Sequence, residues 1–302
     1  MTEPAPEHPR EPQPLDSAAQ LLTRITAQLG TQLSLVSLNG TRRPMHRSPR
    51  SSAPTLVAVA HGSRDPQALR TVLELLDRVR ELRPCLDVRL GHIELNEPLL
   101  PDTLDAVGRG DAVLVPLLLG RGHHVRHDLP RAAASAPRLR TRIAAPLGPH
   151  PLLVEALYER LLEAGWRDED ARSGNTAVVL AAAGSRDPDS DVDARRTAAM
   201  LSDRIGGVPV IPAYASAATP DVPAAVRALA ARGRHRVALA SYFTAPGRFA
   251  TLSAAAAPGI AAAPIGAHPA LARLLLHRYD QALTGPAPAA GALTHPPLLA
   301  SA

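Results

Sequence analysis

Three segments of the sequence concentrate side chains able to do chemistry. His61-Gly62-Ser63-Arg64 is the first, Glu94 in HIELNEP the second, and Gly122-His123-His124-Val125-Arg126-His127-Asp128-Leu129-Pro130 the third. Imidazoles from two separate segments, with a carboxylate from another, suit a labile site for a divalent transition metal with coordination positions left open. Imidazole ordinarily titrates near neutrality, so such groups can also accept protons. Arginine grips carboxylates with two parallel donors, and Arg64, Arg121 and Arg126 lie in or beside these segments. Backbone N–H groups at Gly62 and Ser63, placed at a helix N-terminus, are expected to hold a further carboxylate.

The elements that must position these groups are legible as apolar runs alternating with helical patterns. TLVAVA (55–60) reads as a buried strand, followed by a helix from Pro66 to Leu82 with Leu69, Val72, Leu73, Leu76, Val79 and Leu82 on its apolar face. Strands follow at 86–93, 111–119 and 140–146, with helices over 98–107 and 151–164. Continuous apolar strands separated by helices predict a parallel sheet covered on both faces. Ligands of such sheets bind outside the carboxyl ends of the strands, where all three polar segments fall.

The pattern then repeats. HGSRDP at 61–66 returns as AGSRDP at 183–188, and APLGPHPLL at 145–153 returns as APIGAHPAL at 263–271. The expected fold is therefore α/β, with two tandem, internally duplicated domains over 55–168 and 175–283, each a four-stranded parallel sheet flanked by helices. Residues 1–54, with Pro-rich and Arg/Ser-rich stretches around a short amphipathic segment, read as a flexible extension, and 284–302 as a loose tail. Ala183 stands where His61 stands and Phe249 where His124 stands, while Gly184-Ser185-Arg186 and Gly247-Arg248 are kept. Metal chemistry is thus predicted in the first half alone, with Arg186 and Arg248 available to bind substrate.

HGSR after the first strand, an acidic residue after the second and GxHxxxDLP after the third together resemble the CbiX/SirB-type sirohydrochlorin chelatases, within the class II chelatase superfamily. The resemblance runs over both halves. It implies insertion of Fe2+ or Co2+, as substrate metal, into sirohydrochlorin for sirohaem or cobalamin synthesis, without ATP and without a tightly bound cofactor. His61 and His124 match the family histidines as metal ligands and catalytic groups, and Glu94 matches an acidic position, with Glu97 an alternative to it. Sirohydrochlorin carries eight carboxylates, which the arginines named above would anchor. A carrier or sensor of metal or tetrapyrrole, without turnover, is the competing expectation on the same fold.

Composition narrows the classes further. Aromatics are 2% of the residues, too few for base-stacking platforms, and all 33 basic residues are arginine at a formal charge of only +5, so no nucleic-acid partner is expected. A single cysteine, Cys85, removes disulfide frameworks and cysteine-rich zinc sites. No apolar run has the length of a membrane span and the N-terminus does not read as a signal peptide, so the expected location is cytoplasmic. His150 and His268 each precede a helix-starting proline in both halves and are expected to be structural; His123 and His127 are expected to be solvated loop residues, with a secondary metal relay as the alternative.

Overall fold

The computed structural model describes residues 53–285; most of the two predicted terminal segments lies outside them. The first half runs β1 (Thr55–Ala60), α1 (Pro66–Leu82), β2 (Val88–His92), α2 (Leu100–Val107), β3 (Gly110–Pro116), a π-helical turn (His124–Asp128), α3 (Leu129–Ala134), β4 (Leu139–Ile143) and α4 (Pro151–Glu163). Its four strands are parallel in the order β2-β1-β3-β4. A short α5 (Asp168–Arg172) leads to β5 (Thr176–Ala182), α6 (Pro188–Arg204), β6 (Val210–Tyr214), α7 (Val222–Ala230), β7 (Arg236–Tyr242), α8 (Arg248–Ala255) and α9 (Pro269–Thr284).

The second sheet has three strands, β6-β5-β7, where four were expected. Only an isolated parallel bridge, Leu239 to Ala261, marks the fourth position. The residues aligned with β4 there include Pro258 and Gly259. Proline cannot donate to the ladder and glycine packs no side chain, so this segment cannot continue a strand.

Helix α1 shows how the local sequence sets the frame. Asp65 caps it by accepting the Gln67 N–H, and Pro66 occupies the first turn, where its missing donor is harmless. The buried face is Ala68, Val72, Leu75, Leu76 and Val79. Leu73 and Leu82, expected inside, are 42% and 52% exposed, because the helix is rotated toward the Leu75 side of its apolar stripe. Each fully buried leucine on that face contributes roughly 1.5–3 kcal/mol of transfer free energy.

The halves are interlocked by their last helices. α4, which follows β4, packs on β7 and α6 of the second sheet, and α9 packs on β3, β4 and α1 of the first. An arginine on each helix secures the exchange. Arg160 of α4 donates to the Ile265 carbonyl, and Arg278 of α9 donates to the Leu147 carbonyl, the matching position of the other half. One apolar core consequently draws on both sheets.

Candidate functional site

The loops after β1 and β2 are pressed together at the strand ends. The Glu94 N–H donates to the His61 carbonyl at 3.0 Å, and Gly62 passes so close that a Cβ there would lie 1.8 Å from the Glu94 carbonyl oxygen. Gly62 also has φ +104°, so only glycine fits this crossing. The contact sets the Glu94 carboxylate 3.5 Å from His61 Nδ1. After β3 the chain turns through the π-helical segment, whose first residue, His124, has its Nδ1 2.6 Å from Asp128 Oδ2.

These two loops bring His61 and His124 edge-to-face, with ring centroids 4.6 Å apart. A carboxylate at Nδ1 favours the tautomer with the proton on Nδ1, leaving the Nε2 lone pair for a metal or a proton. The two side chains are 44% and 33% exposed, so both rings are reachable. Among the described residues no three His, Cys, Asp or Glu side chains gather as a metal-holding group; the geometry offers two imidazoles.

The second half keeps the frame without these groups. The Ser216 N–H donates to the Ala183 carbonyl at 3.0 Å, and Gly184, at φ +87°, would place a Cβ 1.8 Å from the Ser216 carbonyl oxygen. His61, Glu94, His124 and Asp128 thus have Ala183, Ser216, Phe249 and Ser253 as counterparts. The loops of the two halves meet reciprocally. A Cβ on Gly122 would be 3.7 Å from Ser185 Oγ, and one on Gly247 would be 3.7 Å from Ser63 Oγ. The loops at both sets of strand ends therefore lie against one another.

The CbiX family model matches residues 55–164 and, a second time, 177–282. The chain belongs to the CbiX family. Sirohydrochlorin ferrochelatase of Bacillus subtilis is 30% identical over 173 residues, 55% of this chain and 64% of that protein. A sirohydrochlorin cobaltochelatase of Priestia megaterium is 25% identical over 197 residues, 63% of each chain. These matches span a little under two thirds of each relative. The structure of SirB from Bacillus subtilis with Fe3+ aligns with a TM-score of 0.62 at 25% identity, covering 76% of this chain and 96% of that one.

Several groups expected at the site of this CbiX-family chain are committed elsewhere. The Ser63 N–H donates to Asn96 Oδ1 at 2.6 Å and is not open to a substrate carboxylate. The helix it was expected to open begins only at Pro66, already capped by Asp65. Arg121 binds the buried Asp193 through its backbone N–H, Nε and Nη2, at 2.9, 3.0 and 2.7 Å. Arg126 pairs with Asp187, at 3.1 Å, and with Asp189. Both arginines, expected to hold substrate, join the third loop of the first half to the start of α6. Their partners lie 61 to 72 residues away in the chain, beyond any local pattern.

Arg64, Arg186 and Arg248 are exposed and form no ion pair among the described residues. Glu94, not Glu97, adjoins His61; Glu97 lines a groove with Leu69, Leu73 and Asp102. Asp128 was not singled out from sequence, although its place four residues after His124 is the helical spacing that lets the two side chains meet. His150 and His268 accept the N–H groups of Leu152 and Ala270 and cap α4 and α9, as structural groups do. Among the described residues no helix is long and apolar enough to cross a membrane.

Proposed function

We propose that this chain inserts a divalent metal, Fe2+ or Co2+, into sirohydrochlorin in the cytoplasm, without ATP, feeding sirohaem or cobalamin synthesis. The observation that carries the reading is the facing pair His61 and His124, held by different strand ends and each backed by a carboxylate. The relatives named for ferrochelatase and cobaltochelatase activity support the substrate class and leave two metals as candidates.

In this reading the Nε2 lone pairs of His61 and His124 hold the incoming ion. Forming the metal–nitrogen bonds of the macrocycle requires that two pyrrole N–H protons leave. As the ion passes to the macrocycle nitrogens, the vacated imidazole lone pairs accept those protons and release them to solvent. Glu94 and Asp128 orient the rings and stabilise the imidazolium forms. The peripheral carboxylates of the substrate are held by the exposed Arg64, Arg186 and Arg248. The Ser185 N–H joins them: Ala218 replaces Asn96 in the second half, and this N–H has no protein partner among the described residues. Phe249, 38% exposed beside Arg248, offers the ring an apolar wall.

The test is the absorption change of sirohydrochlorin mixed with Fe2+ or Co2+ and a small amount of the full chain. Many metallated molecules per protein chain are expected. One or fewer would make the protein a carrier instead.

A further inference from the structure

We infer that His123 and His127 form a second, outer site for a divalent transition metal, which collects the ion and passes it to His61 and His124. The two side chains are exposed, four residues apart on the same turn, with ring centroids 4.6 Å apart and planes at 40°. An ion held at about 2.1 Å from each of two imidazole nitrogens sets the ring centroids roughly 4.5–5.5 Å apart, so this pair is spaced for joint coordination. Neither ring has a hydrogen-bond or ion-pair partner among the described residues, so no structural duty competes for their nitrogens.

The pair also adjoins the inner one. The His123 ring is 6.2 Å from that of His124, which is 4.6 Å from that of His61. Four imidazoles are therefore linked from the exposed turn to His61 by two steps of 4.6 Å and one of 6.2 Å, and rotation of the exposed His123 ring is what would close the longer step for ligand exchange. The two arginines of the same loop, Arg121 and Arg126, are neutralised by Asp187, Asp189 and Asp193. The second half supplies the contrast. Arg248 and Leu252 occupy the positions of His123 and His127, so the outer pair is missing wherever the inner pair is missing. Two neutral nitrogen ligands with water in the remaining positions favour Fe2+, Co2+ or Ni2+ over Mg2+ and release them quickly.

Ion binding at His123 and His127 stands by itself, while the transfer step rests on the chelatase reading above. The experiment is a calorimetric titration of the full, untagged chain with Co2+ alone. The His123→Ala/His127→Ala variant is expected to lose one bound equivalent and the His61→Ala/His124→Ala variant a different one, with both lost from the fourfold variant. If the His123→Ala/His127→Ala chain binds as many ions as the parent with the same affinities, the outer site is refuted. Failure of the inner site shows only in the His61→Ala/His124→Ala chain. In turnover, His123→Ala/His127→Ala should raise the KM for metal severalfold and keep kcat. An unchanged KM for metal overturns the delivery role.

Discussion

The two halves share a backbone and differ in what it carries. Gly62 and Gly184 cross their neighbouring loops at the same 1.8 Å virtual contact, and each following loop donates one N–H back to the first. On that common frame the first half sets His61, Glu94, His124 and Asp128, and the second sets Ala183, Ser216, Phe249 and Ser253. Reciprocal placement of Gly122 against Ser185 and of Gly247 against Ser63 brings the two sets of loops together. The lesson is that the frame is held by packing and backbone hydrogen bonds, so its chemistry can be removed without disturbing it. What the second half retains is a helix that packs against the other sheet and aspartates that fix the histidine loop.

The largest expected effect comes from removing the first-half imidazoles. His61→Ala and His124→Ala should each lower kcat by about 10²-fold or more, with little change in Tm because both rings are outside the core. Adding Ala183→His and Phe249→His to a chain that carries both of these substitutions should not restore turnover, since Ser216 and Ser253 provide no carboxylate to orient the new rings. Recovered turnover would break the comparison. Asp128→Asn should cost roughly 10–100-fold in metal affinity or turnover, whereas Ser253→Ala, its counterpart, should cost neither; metal titration and kinetics of the two variants decide it.

A smaller effect is expected on the wall. Phe249→Ala and Arg186→Ala should raise the KM for sirohydrochlorin severalfold while kcat stays within about twofold, the mark of uniform binding. The Arg186→Ala effect should shrink with added salt. An unchanged KM in both would reduce the second half to scaffolding.

The smallest effect separates the two capping histidines by pH. Burial, then Arg278 and His277, pushes His150 down to about 4, while His268 is lowered by burial but opposed by Glu159. A histidine whose folded value is depressed must stay neutral to keep the fold. Its contribution is complete above the unfolded value near 6.5 and is lost as the pH falls toward 4. His150→Asn keeps a cap without titrating, so its Tm should fall less steeply than the parent's between pH 7 and 4.5. His268→Asn should differ from the parent by less. Equal slopes for His150→Asn and the parent would show that His150 is not held neutral.

Much of the site is legible in the sequence. The strand ends follow from periodicity, the choice of His61 and His124 from the family resemblance, and the structural role of His150 and His268 from their recurrence before a helix-starting proline in both halves. Long-range partners of exposed groups are not legible in the same way. Asn96 takes the Ser63 N–H, and Asp187, Asp189 and Asp193 take Arg121 and Arg126. The missing fourth strand of the second sheet was signalled by Pro258 and Gly259, which the repeat in the flanking motif concealed.

By itself the sequence determined the duplicated α/β frame, because apolar period, caps and turns act over a few residues, and it determined which half keeps imidazoles. Tertiary structure alone decided which helix completes which sheet, which arginines remain unpaired, and that the His123, His124 and His61 rings are successive neighbours. Those outcomes depend on pairings between groups tens of residues apart. Exposed charges and rings have many possible partners along a chain, and only the packed arrangement of both halves selects among them.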